Sequence, residues 1–445
     1  MNLEELAVEI DSYLTRLFSI NRSITGNGVR ETFRILKEIV PIEVLEYESG
    51  TEVYDWTIPD EWVIHDAYIK DSKGTRVVDF RESNLHVVGY SNFVCDQLTF
   101  DQLSPHLHYF DDGREAIPYR TGYYKDGWGF CITREQLDNL KGIGGIFDVC
   151  IDAEFKKKGS MTIAELRIPG KSDEEYLIST YCCHPSMAND NLSGLLLTCF
   201  LARELLQQRN LNKSWRIIIV PETIGAIAYL YFNEAEMKKV SGGLLATTCG
   251  GPGDFGYKES FLSDSVVDRA VNIVFRDKGL KPKHYSFVPD GSDERQYSSP
   301  GFRIPIGTIT RDKYYEYDEY HTSADNLDFV NGCQIAESLE IYREVIRVID
   351  RNKLYASTNP HGEPQLGRRG LYPNTGGTVN QPAAGEEGKR ASKLISAIMW
   401  VMFASDGRHD LIHIAERSGI RFDVLVEAVH KLHAAGLLDA STEKH

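Results

Sequence analysis

Histidine and carboxylate side chains follow strand-like runs at several places in this sequence. The apolar run that begins at Leu177 ends at His184, and Asp190 follows six positions later. His321 lies farther along, in the segment 320–325. Neutral imidazoles and carboxylates are the usual protein ligands of zinc and similar divalent ions. The sequence therefore predicts a metal site built from His184, Asp190 and His321.

A hydrolytic metal site also needs a carboxylate that takes a proton without binding the ion. Glu222 follows the apolar run 217–220 after one proline, so we expect it at the same edge of the sheet, as the catalytic base. Asp293, Arg295 and Tyr320 are candidates for substrate binding. Arg295 could grip a substrate carboxylate or phosphate, or form a structural ion pair. Asp293 could instead have a purely structural role, in which it holds its loop in place.

Each of these residues has an ordinary structural explanation when it is taken alone. A histidine after a strand is commonly hydrogen-bonded within the core, and a glutamate there commonly interacts with a helix N-terminus. Metal binding is favoured because the segments 184–190, 222–225, 291–297 and 320–325 all lie in strand-end contexts.

Composition and charge exclude several classes of protein. Hydrophobic residues make up 42% and charged residues 26% of the chain, as in globular proteins, and the net charge of -16 argues against general nucleic-acid or anionic-membrane binding. The first residues lack the basic and apolar regions of a signal peptide. No apolar run approaches the ~18 residues of a transmembrane helix. The eight cysteines show no C-x-x-C pair, which fits a cytoplasmic protein.

The pattern along the chain predicts four parts. Residues 1–41 and 144–352 predict an α/β domain, with a mixed central sheet and helices on both faces. Between them, 42–143 is predicted to form a small inserted β domain, and the Gly- and Pro-rich segment 353–388 a linker. The strand candidates after residue 144 are 146–155, 161–168, 176–182, 215–220, 243–248 and 304–309.

Residues 389–445 predict a C-terminal winged helix-turn-helix domain. Eight Lys and Arg against seven Asp and Glu leave this part near neutral, whereas DNA-binding domains usually carry a basic face. Nucleic acid is therefore a poor candidate partner. Docking within the chain or formation of a homo-oligomer is favoured.

The ordered segments resemble the zinc-dependent aminopeptidases, the co-catalytic metalloexopeptidases of the leucyl aminopeptidase and glutaminyl cyclase type. After a strand ending in His184 come Ala-Asn-Asp-Asn-Leu-Ser-Gly (188–194), Glu-Thr-Ile-Gly (222–225), Ser-Asp-Glu-Arg-Gln-Tyr (292–297) and Tyr-His-Thr-Ser-Ala-Asp (320–325). The likeness covers about 145–350 and the N-terminal helix. The whole chain is also similar to an uncharacterised bacterial family that joins an aminopeptidase-like domain, an inserted β domain and a winged helix.

The sequence departs from the pattern of the zinc-dependent aminopeptidases at three places. Ser186 stands where the family has an Asp that orients the first His. Thr223 stands where the family has a second metal-binding Glu, and no Asp follows the strand near 247–250. Because these changes remove anionic donors, the resemblance implies one Zn²⁺ rather than two.

The resemblance implies a metal-dependent hydrolase that cleaves an amide next to a free amine in a small molecule or short peptide. Glu222 would move the proton. One alternative is an amidase or deacylase acting on an amino sugar or related metabolite. The other is a catalytically degenerate ligand-binding protein whose winged helix transmits a signal. Thr223 favours the degenerate protein, and the retained His184, Asp190, Glu222 and His321 favour an enzyme.

Overall fold

The computed structural model describes residues 2–371 and 386–440. The chain forms two compact units, Met1–Ser263 with Pro282–Tyr342 and Asp264–Lys281 with Arg343–His445. The limits of these units do not coincide with the four predicted parts. The inserted β part and most of the α/β part lie in the first unit, whereas 264–281 and 343–352 group with the C-terminal part. Much of the predicted linker, 372–385, lies outside the described residues.

The helices follow the predicted periodicity at both ends of the chain. They are α1 (Leu3–Phe18), α2 (Asn27–Leu36), α3 (Phe100–Leu103), α4 (Arg134–Ile143), α5 (Gly194–Gln207), α6 (Ile224–Phe232), α7 (Glu234–Met237), α8 (Val266–Lys278), α9 (Glu294–Tyr297), α10 (Gly332–Arg351), α11 (Glu386–Ala404), α12 (Leu411–Ser418) and α13 (Phe422–Ala434).

The strands belong to one large sheet and several small ones. They are β1 (Glu43–Glu48), β2 (Glu52–Val53), β3 (Trp56–Thr57), β4 (Glu61–Lys70), β5 (Arg76–Asp79), β6 (Val94–Thr99), β7 (Leu107–His108), β8 (Phe130–Cys131), β9 (Ile146–Lys156), β10 (Ser160–Ile168), β11 (Glu175–Tyr181), β12 (Ser214–Val220), β13 (Val240–Ala246), β14 (Phe255–Lys258), β15 (Lys283–Tyr285), β16 (Ile306–Arg311), β17 (Leu354–Ser357), β18 (Asp406–Asp410) and β19 (Leu438–Ala440).

The large sheet has the order β1-β10-β12-β11-β13-β16-β14-β15. Its centre, from β12 to β16, is parallel. The pairs β1–β10, β10–β12 and β16–β14 are antiparallel, and β15 is parallel to β14. Nearly every residue of β11 and β12 is buried, as expected of parallel strands covered on both faces. This confirms the predicted mixed central sheet.

Two strands join different sheets from those that the domain limits predict. β9 was expected in the α/β domain, but it pairs with β4 and β6 in the four-stranded sheet β5-β4-β9-β6. β1 lies within the predicted insert, but it pairs with β10 at the edge of the large sheet. An alternating pattern identifies a strand and does not identify its partner, because pairing is decided by contacts distant along the chain.

A disulfide joins β6 and β9, where Cys95 and Cys150 lie opposite each other. The cysteine pattern gave no sign of this pair, because the two residues are 55 positions apart. The pair removes part of the basis for a cytoplasmic location, which stays a prediction. The other described cysteines are free.

The second unit contains a winged helix-turn-helix arrangement. The sheet β18-β17-β19 accompanies α11, α12 and α13, and Leu411, Leu425 and Leu432 are buried among them. β17 lies inside the predicted linker, so this sheet begins earlier than the predicted limit at residue 389. Within the unit, Arg269 of α8 lies 2.7 Å from Glu416 of α12. Among the described residues, no helix is both long and apolar enough to cross a membrane.

Candidate metal centre and active site

Chain segments that follow the parallel strands meet at one edge of the large sheet. His184 follows β11, Glu222 follows β12, and Thr247 and Thr248 follow β13. In open α/β sheets, ligands bind in the crevice beyond the carboxyl ends of the strands. The topology therefore places the predicted residues where such a crevice forms.

Three of the predicted side chains lie together with atoms suited to a metal ion. Asp190 Oδ1 lies 3.5 Å from His184 Nδ1, and Asp190 Oδ2 lies 3.0 Å from His321 Nε2. His184 Nδ1, Asp190 Oδ2 and His321 Nε2 are buried, and none has an aligned hydrogen-bond partner. One donor atom from each residue lies within 4.8 Å of the others. Two imidazoles and a carboxylate with free lone pairs fit a zinc ion.

Asp190 is fully buried and held on several sides. Tyr181 donates to its Oδ1 at 2.5 Å, and the Tyr181 hydroxyl also lies 2.7 Å from Thr247 Oγ1. Burial by itself raises the pKa of Asp190, but His184, His321 and Tyr181 together lower it to about 2. The carboxylate is therefore ionised, as a metal ligand must be.

The segment around Asp190 is fixed by Asp325, which ends the His321 segment. Asp325 accepts backbone N–H bonds from Ala188, Asn189 and Asp190, at 3.1, 2.6 and 2.9 Å. Burial raises the pKa of Asp325 to about 7, although these bonds oppose the shift. This carboxylate links the two segments that carry the candidate ligands.

Gly194 lets the same segment approach β13 closely. A Cβ on Gly194 would lie 2.3 Å from the carbonyl oxygen of Ala246, so no other residue fits without displacing the strand. Ser193 adds a hydrogen bond from Cys249 N to its Oγ at 2.8 Å. The terminal Ser-Gly of the segment 188–194 is thus explained by packing.

His184 is buried and held in the neutral form. Arg22, which lies between α1 and α2, donates from Nε to the His184 carbonyl oxygen at 2.9 Å. The rings of Tyr119 and Tyr181 pack edge-on against the imidazole. Burial lowers the pKa of His184 to about 4, although Asp190 opposes the shift. A neutral imidazole is the form that binds metal.

His321 is more exposed than His184 and is positioned by aromatic residues. Its ring stacks on Tyr320 with centroids 3.9 Å apart. Tyr119, from the region between β8 and β7, donates its backbone N–H to the His321 carbonyl at 2.8 Å and packs edge-on against the ring. Tyr320, predicted to bind substrate, therefore lies beside a candidate ligand.

Glu222 lies on the other side of His184 from Asp190. Its Oε2 is 3.7 Å from His184 Nε2, and its Oε1 accepts a hydrogen bond from Ser292 at 2.7 Å. Burial, followed by the negative charges of Asp293 and Asp190, raises the pKa of Glu222 well above its ordinary value. The carboxylate lies next to one of the three candidate ligands, His184, where a proton-transferring group could act.

The segment 291–297 supports Glu222 rather than joining the candidate ligands. Asp293 is fully buried, and its Oδ1 accepts the Thr223 N–H at 2.7 Å. Burial raises the pKa of Asp293 to about 7, although the Thr223 N–H opposes the shift. This is the geometry of a loop anchor, and substrate binding by Asp293 stays a prediction.

A buried ion pair fixes the same segment from behind. Lys258 Nζ lies 2.5 Å from Glu294 Oε1 and donates to the Asp290 carbonyl at 2.8 Å. The two side chains are 2% and 1% exposed, so both charges are removed from water.

We expect Lys258→Met to destabilise the protein, because it leaves the Glu294 carboxylate buried without its cation. Breaking such a pair costs about 3–5 kcal/mol. The free energy of unfolding, measured by urea titration, should fall by that amount. Adding Glu294→Met should recover most of the loss, since no lone charge then remains. A single variant as stable as the wild type would contradict this role.

Sequence reasoning missed several residues that shape the site. Tyr119, Ser292, Asp325 and Arg22 contact the predicted residues from segments far away in the sequence. Asp325 and Ser292 stood inside the quoted motifs without an assigned role. Tyr119 and Arg22 lie outside the quoted motifs.

Two profiles of known families match the chain. A domain of unknown function (DUF4910) matches residues 12–352, and a winged helix-turn-helix matches residues 353–440. The second match begins at the residue before β17, in agreement with the sheet of the second unit.

Individual proteins are similar over nearly the whole chain. A Clostridium acetobutylicum protein, described provisionally as a polysaccharide biosynthesis protein with an aminopeptidase-like domain, is 43% identical over 98% of this chain and 97% of its own. A crystal structure from the same organism, described provisionally as a peptidase, has a TM-score of 0.90 at 41% identity and covers 99% of this chain and 97% of that chain.

A more distant structure shares the fold alone. The zinc aminopeptidase BSAP of Bacillus subtilis matches with a TM-score of 0.56 at 12% identity, over 78% of this chain and 95% of that chain. The predicted resemblance to zinc aminopeptidases is thereby confirmed at the level of the fold. The chain belongs to the DUF4910 family, with an aminopeptidase-like α/β fold followed by a winged helix-turn-helix domain.

Proposed function

We propose that this protein is a metal-dependent hydrolase of the peptidase type, which cleaves an amide bond in a small molecule or short peptide. The observation that carries the proposal is the convergence of His184 Nδ1, Asp190 Oδ2 and His321 Nε2, buried and without hydrogen-bond partners. The aminopeptidase-like fold and the relatives' descriptions support a peptidase-type enzyme.

The residues around the ligands have distinct roles in this proposal. A zinc ion bound there would supply Lewis-acid activation of water and of the substrate carbonyl. Glu222 holds and passes the proton at Oε2, while Ser292 fixes its other oxygen. Asp190 stays ionised and His184 stays neutral, as their shifted pKa values indicate. Tyr320 and Arg295 would contact the substrate.

The available ligand atoms suit one zinc ion better than two. The Tyr181 hydroxyl is bonded to Asp190 Oδ1, so one carboxylate oxygen already has a partner. Thr223 has a hydroxyl where the zinc-dependent aminopeptidases have a carboxylate, and its Oγ1 accepts a hydrogen bond from Arg295. Thr247 and Thr248 follow β13, where that family has an Asp.

Metal analysis followed by activity measurements tests the proposal. The purified protein should contain about one zinc per chain, and removing the zinc should abolish amide hydrolysis, with recovery when zinc is returned. The panel should contain aminoacyl amides, N-acyl amino acids and N-acetylated amino sugars. Hydrolysis that survives complete removal of metal would contradict the proposal.

A second candidate is deacylation of an amino sugar or related metabolite. The description of the Clostridium relative, which names polysaccharide biosynthesis, favours it. It predicts that the N-acetylated sugars in the panel are the best substrates. The third, a degenerate ligand-binding protein, is favoured by Thr223 and predicts bound zinc without turnover of any compound.

The winged helix is proposed to contact protein rather than nucleic acid. Arg421 pairs with Asp423 at 3.1 Å and Arg390 with Glu427 at 3.7 Å, so acidic neighbours offset part of its basic charge. The full chain should therefore show no sub-micromolar, sequence-selective DNA binding in a titration at ~150 mM salt. Such binding would contradict this assignment. Light scattering would detect a homo-oligomer, which remains a proposal, as does a cytoplasmic location.

A further inference from the structure

Arg295 is a guanidinium beside the candidate active site that forms no direct ion pair with a described carboxylate. Its Nη2 lies 3.4 Å from Thr223 Oγ1, and its Nε is buried without a hydrogen-bond partner. Within residues 2–371 and 386–440, no carboxylate oxygen lies within 4.0 Å of its nitrogens. A partly buried cation in this state gains free energy when an anion binds it.

The nearby acidic side chains make their short contacts with other groups, although Asp293 Oδ2 has no hydrogen-bond partner and the charge of Arg295 opposes the rise that burial causes in the pKa of Asp293. Glu294 pairs with Lys258 at 2.5 Å. Asp293 Oδ1 accepts the Thr223 N–H, and Glu222 Oε1 accepts the Ser292 hydroxyl. None of these carboxylates therefore neutralises Arg295 by direct contact.

Arg295 is also close to the groups that would carry out the reaction. Thr223, its hydrogen-bond partner, directly follows Glu222. Burial, followed by the charge of Glu222, raises the pKa of the Tyr315 phenol, and the charge of Arg295 opposes this rise. Because Tyr315 is 66% exposed, this part of the site is open to solvent.

An acidic run, Glu316, Asp318 and Glu319, could attract a substrate amine, but its first residue is already paired. Glu316 contacts Lys283 at 2.6 Å and Lys313 at 3.4 Å. Thr223, the residue after Glu222, has a neutral hydroxyl where the zinc-dependent aminopeptidases have a carboxylate. This hydroxyl lies beside the Arg295 guanidinium. Compared with that family, this chain has one anionic group fewer beside Arg295.

We infer that Arg295 binds a carboxylate or phosphate of the substrate, next to the amide that is cleaved. This inference rests on the proposed hydrolase function and names its substrate class: an amide that carries an oxyanion rather than a free amine. Arginine suits this role because its planar fork can donate two parallel hydrogen bonds to either group.

A binding experiment tests the inference without catalysis. Inorganic phosphate and acetate would be titrated calorimetrically into full-length wild type and Arg295→Met, both loaded to the same zinc content, and again after removal of zinc. We expect the dissociation constant of at least one anion to rise about tenfold or more in Arg295→Met, in both metal states. The anion that responds distinguishes a phosphate from a carboxylate ligand.

Matched variants keep the experiment specific. Arg303→Met removes one exposed positive charge from the same unit and should bind the anions as the wild type does. Arg295→Lys should recover part of the affinity, since the charge returns without the planar fork. Equal anion affinity in wild type and Arg295→Met would overturn the inference.

Substrate preference gives a second, independent readout. The wild type should hydrolyse an N-acyl amino acid at least about tenfold more efficiently, in kcat/KM, than its carboxamide, and Arg295→Met should lose the preference. Preference for an aminoacyl amide with a free amine would overturn the inference. If no amide is hydrolysed, the proposed function fails, and the anion titration still decides whether Arg295 forms an anion site.

Discussion

Glu222→Gln should retain its zinc and lose about 10²-fold or more in kcat, the usual scale of general acid–base catalysis. Glutamine has nearly the same shape, so its side chain can still accept the Ser292 hydrogen bond at the position of Oε1. It cannot take a proton at the position of Oε2, which lies 3.7 Å from His184 Nε2. The fold and the candidate ligands should therefore be unchanged while proton transfer is lost.

Steady-state kinetics together with metal analysis would check this result on the best substrate in the panel. Ser292→Ala is the matched control, because it removes the hydrogen bond to Glu222 and keeps the carboxylate. Its loss of kcat should be much smaller. Full activity in Glu222→Gln would contradict the assigned role, and loss of zinc would show that Glu222 is a ligand.

His321→Ala should abolish stoichiometric zinc binding, and His184→Ala should do the same. Each substitution removes one of the three unpartnered donor atoms and leaves Asp190 with a single imidazole. A site with two remaining protein donors is too poor to hold zinc against dilution. His321 is the cleaner position, because its side chain is 35% exposed, whereas His184 is 7% exposed.

Zinc content would be measured after dialysis by atomic absorption. His284→Ala, at an exposed histidine on β15, is the control and should keep its zinc. Thermal unfolding of the metal-free proteins would show that the variants remain folded. Unchanged zinc stoichiometry in both His184→Ala and His321→Ala would disprove the metal site.

The sequence alone carried enough information to predict the central sheet. The strands β11, β12 and β13 contain the short apolar runs 176–178, 217–220 and 243–246, and such runs are typical of strands covered on both faces. It also predicted that His184, Glu222 and Asp190 lie close together. Residues that follow parallel strands share one edge of the sheet, so their proximity follows from local patterns.

Only the tertiary structure decided how those residues are oriented and supported. Ser292 on Glu222 and Asp325 on the backbone of 188–190 are contacts between distant segments, and no local pattern predicts them. The same cause explains β1 and β9, whose alternation identified strands without indicating the sheets they join. Arg295 shows the difference most clearly. From the sequence, Arg295 could bind an anion or form an ion pair. Only the fold shows that no described carboxylate pairs with it directly, because a counter-ion can come from anywhere in the chain.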